Sequence, residues 1–280
     1  MTRRRWVALA LVLALFIAAG VAVVVVSSRS SSPAAVLPAS MAAAGDSITQ
    51  AFDLNADHLL QDSPAESWST GTDPAVDSQY DRILAAQRAI AGHGYNDARV
   101  GAKMAALAGQ LQVAATQRVA YVTVLMGAND VCTPSVASMT PTATFESEFN
   151  QALSGFWAAD PAALVFVASI PDVYQLWQTL QANPRAELTW TLAHICQSML
   201  EIDATAADRQ AVAAREQADN AALAAVCRRY AHCRDDGGAV YREQFSPADV
   251  SSVDFFHPSL LGQEALAQVT WAAGYWPGTR

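Results

Sequence analysis

Ser47 stands in Gly45-Asp46-Ser47-Ile48-Thr49, directly behind a short apolar run at Met41–Gly45. A serine hydroxyl is a weak nucleophile until a base takes its proton, and that base works best when a carboxylate fixes its tautomer and orientation. Five histidines are available: His58, His93, His194, His232 and His257. Of these, His257 alone has an acid at short spacing in a loop-like setting, in Asp254-Phe255-Phe256-His257-Pro258. The three-residue step lets Asp254 reach the far ring nitrogen from the same loop, and Pro258 with the helix after it holds that loop in place. Such a set supports acyl transfer with Ser47 as nucleophile, His257 as base and Asp254 as its orienting acid. The other four histidines read as surface or satisfied interior groups.

Acyl transfer also needs donors aimed at the oxyanion of the tetrahedral intermediate. Asn129, in Gly127-Ala128-Asn129-Asp130, offers a side-chain amide, and Gly101 offers a backbone N–H at what reads as the start of a helix. The Ser47 N–H is the third. Taken singly, each piece has a plainer meaning: Gly45 ends a strand, Asp46 and Ser47 cap a helix, Asn129 and Asp130 form a turn, and Gly101 eases packing. Their order, and their placement at strand ends, favours the chemical reading.

Those strand ends follow from the pattern of the chain. Runs at Met41–Gly45, 119–126 and 163–170 are short, apolar and partly β-branched, as buried parallel strands are. Weaker strand signals lie at 95–100 and Ala239–Arg242. Helical stretches fall near 77–91, 102–115, 144–158, 203–230 and Leu260–Ala273. The alternation predicts an α/β fold with one parallel sheet and helices on both faces, in which ligands gather beyond the carboxyl ends of the strands. Gly45-Asp46-Ser47, Gly127-Ala128-Asn129-Asp130 and Pro171-Asp172 all fall on that rim.

Four separate blocks, GDSIT at 45–49, Gly101 in NDARVGA, GAND at 127–130 and DFFHP at 254–258, resemble those of the SGNH, or GDSL, hydrolase superfamily. The resemblance spans nearly all of the chain beyond residue 38. It implies a flavodoxin-like three-layer α/β/α fold, a nucleophile at Ser47, an oxyanion hole from Ser47, Gly101 and Asn129, and the partners Asp254 and His257. It implies no metal or organic cofactor. No G-x-S-x-G string is present, which argues separately against an α/β-hydrolase nucleophile elbow. The GANDVC form and the cysteine count resemble the secreted esterase and phospholipase-B-like branch.

With 280 residues, 52% hydrophobic and 15% charged, the chain has material for one well-buried domain. Its formal net charge of -9 repels phosphate backbones, which excludes nucleic acid as an expected partner. Arg3, Arg4 and Arg5 precede an uncharged apolar run at 6–26, followed by a Ser- and Pro-containing stretch at 27–38. That reads as a signal anchor, or a cleaved signal peptide, followed by a flexible linker, with a hydrolase domain at 39–280 exported beyond the membrane. If the segment is not cleaved, it is also the protein's attachment to the membrane.

In an oxidising compartment, Cys132, Cys196, Cys227 and Cys233 are expected to form two disulfides, with three pairings open. Proximity favours Cys227 with Cys233, leaving Cys132 with Cys196; the rival is a metal site of Cys227, His232 and Cys233, for which the spacing lacks a recognisable frame. A bridged Cys132 would restrain the Asn129 loop. The aromatic and aliphatic stretch carrying Tyr174, Leu176, Trp177 and Trp190 reads as an acyl-chain wall or lid, or as a helical hairpin packed on the core. Phe52 and Trp68 are further candidates for that pocket.

The sequence thus points to a monomeric, exported serine esterase acting on a small-molecule or lipid ester with a lipid-like or short acyl group. The alternatives are an O-acetyl esterase of carbohydrate or peptidoglycan and, in another class, an exported binding module with the same fold.

Overall fold

The computed structural model describes residues 36–278. The apolar run at 6–26 and most of the 27–38 stretch lie outside them. Leu37 and Pro38, at the end of that stretch, are tied to the domain, because Gln87 Nε2 donates to both their carbonyls. Among the described residues, no helix is long and apolar enough to cross a membrane.

Five parallel strands form the sheet: β1 (Met41–Gly45), β2 (Gly94–Asn96), β3 (Tyr121–Leu125), β4 (Leu164–Val167) and β5 (Cys233–Asp235), in the order β2-β1-β3-β4-β5. β1 and β3 are buried at every position, which is why they read as unbroken apolar runs. Parallel neighbours require crossovers, which run through α1 (Gln79–Ala86), α2 (Leu107–Gln117), the short α3 (Ala128–Val131), α4 (Thr142–Ala159), α5 (Val173–Leu180), α6 (Pro184–Leu192), α7 (Gln197–Leu200) and α8 (Ala206–Cys227), while α9 (Ala239–Arg242) and α10 (Leu260–Ala273) follow the last strand. Helices α2, α4 and α8 pack in a row, while α1 meets α10, with Arg82 over the Trp271 ring. The result is the three-layer, flavodoxin-like arrangement expected from the motifs.

The expected helix at Leu260–Ala273 matches residue for residue, started by the Ser259 side chain, which accepts from Gly262 N–H. Two weak strand readings change. The strand signal at 95–100 shrinks to Gly94–Asn96, and Ala239–Arg242 is a helix. Gly237 and Gly238 both turn left-handed before it, at φ 64 and 78, and Asp236 caps it by accepting from the N–H groups of Gly238 and Val240. The last strand is Cys233–Asp235 instead, a short edge strand without the apolar run that would betray it.

Both disulfides form with the favoured pairing, Cys132–Cys196 and Cys227–Cys233. With Cys227 and Cys233 bonded to each other, the alternative metal site has no thiolates. Two disulfides point to an oxidising environment.

A second apolar cluster lies apart from the main core. It gathers Val131, Met139, Val173, Leu180, Trp190 and Met199, with Phe255 and Phe256 packed against it. The segment 250–258 is thereby held between α10 and the α5–α6 hairpin. The contact with α10 depends on Gly262, where a Cβ would stand 2.1 Å from the Asp249 carbonyl oxygen and 2.8 Å from Pro258 Cβ.

Gly262→Ala is therefore expected to lower stability by about 2 kcal/mol or more in urea titration, through overpacking that the backbone must absorb. Gly155→Ala, inside α4 with open space at the Cβ, is expected to raise it by roughly 0.5 to 1 kcal/mol.

Candidate active site

The turn after β1 begins with Gly45, whose N–H donates to Gln110 Oε1 at 2.7 Å while Gln110 Nε2 donates back to the Gly45 carbonyl at 2.9 Å. The side chain of α2 thus continues the backbone ladder where β1 ends. A Cβ on Gly45 would lie 2.5 Å from Thr49 Oγ1 and 2.6 Å from the Leu125 carbonyl, so only glycine lets the turn close against β3. Ser47 follows, nearly buried.

His257 lies 210 residues away along the chain, yet its Nε2 is 2.8 Å from Ser47 Oγ. Its Nδ1 is hydrogen-bonded to Asp254 Oδ2. The other carboxylate oxygen of Asp254 accepts from the N–H groups of Phe256 at 2.9 Å and His257 at 3.0 Å. These bonds wrap the loop around the acid, and the wrap forces Phe255 into a left-handed conformation, φ 57. Trp190 secures that residue, donating from Nε1 to the Phe255 carbonyl at 3.0 Å. The rings of Phe52 and Phe256 stand edge-on to the imidazole, with centroids 5.3 and 5.0 Å away.

Gln263, on α10, joins the two halves of the site. It is fully buried; its Oε1 accepts from Trp68 N–H at 2.9 Å and its Nε2 donates to the Ile48 carbonyl at 2.8 Å.

The third edge of the site carries Gly101 and Asn129. Asn129 Nδ2 donates to the Ala102 carbonyl at 3.0 Å, and Met104 N–H donates to Asp130 Oδ2 at 2.9 Å, so the two loops are bolted together. Asn96 Nδ2 donates to the Thr49 carbonyl at 2.9 Å and Arg99 N–H to the Gly45 carbonyl at 3.1 Å, fixing the same loop to the Ser47 turn. Gly101 does not begin a helix: it sits in a turn at φ 72, ahead of a 3-10 turn at Met104–Ala106 and α2. Left-handed φ, rather than a helix end, is what calls for glycine there. Among the described residues, the N–H groups of Ser47 and Gly101 have no acceptor within the protein.

A cleft of about 460 Å³ opens over these groups, within the range of small-ligand sites. Ser47, Gly101, Asn129, Asp254 and His257 all line it. Phe52 does too, as expected. The rest of the expected pocket lies elsewhere. Trp68 is fully buried in the main core, with Nε1 donating to Thr49 Oγ1. Leu176 lines a separate 60 Å³ pocket behind the loop, Tyr174 stacks on Trp177, and Arg209 covers the Trp177 ring. Trp190 supports the loop from beneath. The α5–α6 hairpin turns these rings toward the second core, and the cleft takes its wall from Thr189, Ala193, His194, Ile195 and the Cys132–Cys196 disulfide at the far end of α6.

Asp53 also lines the cleft, without any motif around it to mark it. One oxygen of its carboxylate, one of Asp254 and a ring nitrogen of His257 lie within 4.8 Å of one another, a grouping that in principle suits a cation. Both imidazole nitrogens are already engaged, by Ser47 and Asp254, so the ring has no lone pair to spare for a metal.

A model of the GDSL-like lipase/acylhydrolase family matches residues 43–265. No curated protein matches the sequence. Among solved structures, a protein described as a GDSL-like lipase from Parabacteroides merdae is 15% identical, with 86% of this chain and 95% of that one covered and a TM-score of 0.53. An extracellular lipase from Streptomyces rimosus is 17% identical, covers 84% and 99%, and scores 0.49. A catalytic mutant of an acetylxylan esterase from Geobacillus stearothermophilus is 13% identical, covers 86% and 94%, and scores 0.48. Of the three, the first exceeds 0.5 and shows a shared fold.

Two measurements test the framework around the cleft. Gln263→Met removes both bonds of the α10 latch at similar volume; stability is expected to fall by about 1 to 3 kcal/mol, and turnover of an ester to fall more than KM rises. Asp46 supplies the second. Complete burial pushes its carboxyl up to about 7 from an ordinary 3.8, although it accepts a hydrogen bond from Ile48 N–H. The folded protein then keeps a proton that the unfolded chain has shed, so the contribution of Asp46 is fully present below 3.8 and is lost as pH climbs to about 7. Asp46→Asn never ionises: its unfolding free energy from urea titration is expected to match the parent near pH 4 and exceed it at pH 8, by on the order of 4 kcal/mol.

Proposed function

The chain belongs to the GDSL-like lipase/acylhydrolase family, and from that premise we propose that it is an exported, monomeric serine esterase that hydrolyses carboxylic esters with a lipid-like or short acyl group through an acyl-enzyme on Ser47. The observation that carries this reading is the 2.8 Å contact between Ser47 Oγ and His257 Nε2, with Asp254 on the opposite ring nitrogen.

Ser47 Oγ attacks the ester carbonyl as His257 Nε2 takes its proton, and Asp254 stabilises the imidazolium that results. The carbonyl oxygen, now negative, is met by the N–H groups of Ser47 and Gly101 and by the Asn129 amide, each held in place before substrate arrives. Collapse breaks the ester bond, and His257 returns its proton to the departing alkoxide. Water then gives a proton to His257, attacks the acyl carbon, and releases the acid as Ser47 recovers its hydrogen.

The lipid-like side of the proposal is supported by the mouth of the cleft. Leu59, Leu60 and Val100 line it and are 55%, 72% and 46% exposed. Exposed aliphatic side chains beside a nucleophile suit an acyl chain better than a sugar ring. Export is supported by the two disulfides together with the basic and apolar pattern of residues 3–26.

Ser47→Ala is expected to abolish hydrolysis of a p-nitrophenyl ester with the circular dichroism spectrum unchanged; undiminished turnover refutes the assignment. In a series from acetyl to palmitoyl esters, kcat/KM is expected to hold or rise beyond acetyl. Strict preference for acetyl would favour removal of O-acetyl groups from carbohydrate or peptidoglycan instead.

A further inference from the structure

The loop after the nucleophile is bent in an unusual way. Ala51, Asp53 and Leu60, none of them glycine, all take left-handed backbone conformations, at φ 49, 52 and 54. Such residues are disfavoured in that region and persist only where surrounding contacts over-determine them, often at functional sites. Here the contacts converge on Asp53. Its N–H donates to the Gln61 carbonyl at 3.1 Å, its carbonyl accepts from Ser251 Oγ, and its Oδ1 accepts from Leu60 N–H.

The effect of this bending is to carry a second carboxylate to within 4.8 Å of both Asp254 and His257, at the wall of the cleft. We propose that Asp53 is a positioning residue of the reaction whose negative charge holds the proton on His257 as the tetrahedral intermediate forms. The inference rests on His257 acting as the base for Ser47, and adds to that mechanism a second acid that the motif blocks do not contain.

The physical case is one of distance and screening. Asp53 is almost wholly buried, and the edge-on rings of Phe52 and Phe256 cover part of the imidazole. A charge about 5 Å away therefore acts through a medium far less polarisable than bulk water. Burial raises the Asp53 carboxyl above its ordinary value; the Leu60 N–H bond and His257 offset this in part, and the charge of Asp254 adds to it. The other ionisable groups around the ring are Asp254, hydrogen-bonded to it, and the buried Asp46 beneath it; His194 lines the opposite wall. No step changes in its atom balance: the proton still passes from Ser47 Oγ to His257 and on to the alkoxide, and Asp53 neither gains nor loses one.

Asp53→Asn keeps an oxygen for the Leu60 N–H and removes only the charge. In the full chain, assayed with a p-nitrophenyl ester, the acid limb of the kcat/KM profile is expected to move to lower pH by about 0.5 to 1 unit, because the imidazolium loses a counter-charge. The kcat on the plateau is expected to fall about 3- to 30-fold with KM little changed. An anchor for the loop alone would alter activity or melting temperature without moving that limb, so an unmoved limb in a folded variant overturns the proposal. If the Asn variant does not fold, Asp53→Ser carries the same readout. Loss of turnover in Ser47→Ala together with an unmoved limb in the Asp53 variant would leave the esterase reading standing and remove this inference alone.

Discussion

A hydrogen bond between residues 210 positions apart, Ser47 Oγ to His257 Nε2, is the constraint on which the rest of the structure depends. Each partner is placed within its own segment. Ser47 is set by the end of β1, where Gln110 extends the ladder and Gly45 lets the turn press against β3. His257 is set by a loop wound around Asp254 and pinned by Trp190. A misplacement of 1 Å between two such groups is costly in rate, so the molecule needs links that measure one loop against the other.

Two such links are present. Gln263, on the helix that begins just after His257, grips the backbone at Ile48, next to Ser47, and again at Trp68. Ser251 reaches from the start of the histidine loop to the Asp53 carbonyl. Buried amide and hydroxyl groups spent in this way would be costly if unpaired; paired across distant segments, they make the folded state specify the site. Beside Gly101 and Asn129 the same logic holds, with Asn129 on Ala102 and Met104 on Asp130 joining loops that follow different strands. The Cys132–Cys196 bond closes the ring by tying the Asn129 loop to the wall beyond α6.

The parts of this arrangement legible in the sequence are those with a local signal. β1 is five apolar residues ending in glycine, and its bounds match; α10 carries a serine cap and a long apolar stripe, and its bounds match as well. Chain proximity favoured Cys227 with Cys233, and Cys132 with Cys196 was what remained. The grouping of Ser47, Asp254 and His257 was legible because Asp254 and His257 share one loop and Ser47 follows a strand. What escaped depends on packing at a distance. An aromatic-rich stretch does not reveal which face of a helix its rings occupy, so Tyr174, Leu176, Trp177 and Trp190 read equally as a substrate wall or as a hairpin packed on the core; they pack on the second core. β5 escaped because an edge strand reading Cys-Arg-Asp is held by pairing with β4 and by a disulfide rather than by its own hydrophobicity. Asp53 has no motif around it, and only the bent loop brings it to the imidazole.

The central claim is that the fold turns Ser47 into a reactive nucleophile through His257. Labelling by an organophosphonate, with the adduct located by mass spectrometry of the digested protein, tests it most directly. The account predicts a single adduct on the peptide containing Ser47, formed by the native protein and lost in His257→Ala and in urea. An unmodified Ser47 in the folded parent, or equal labelling when His257 is absent, would contradict it.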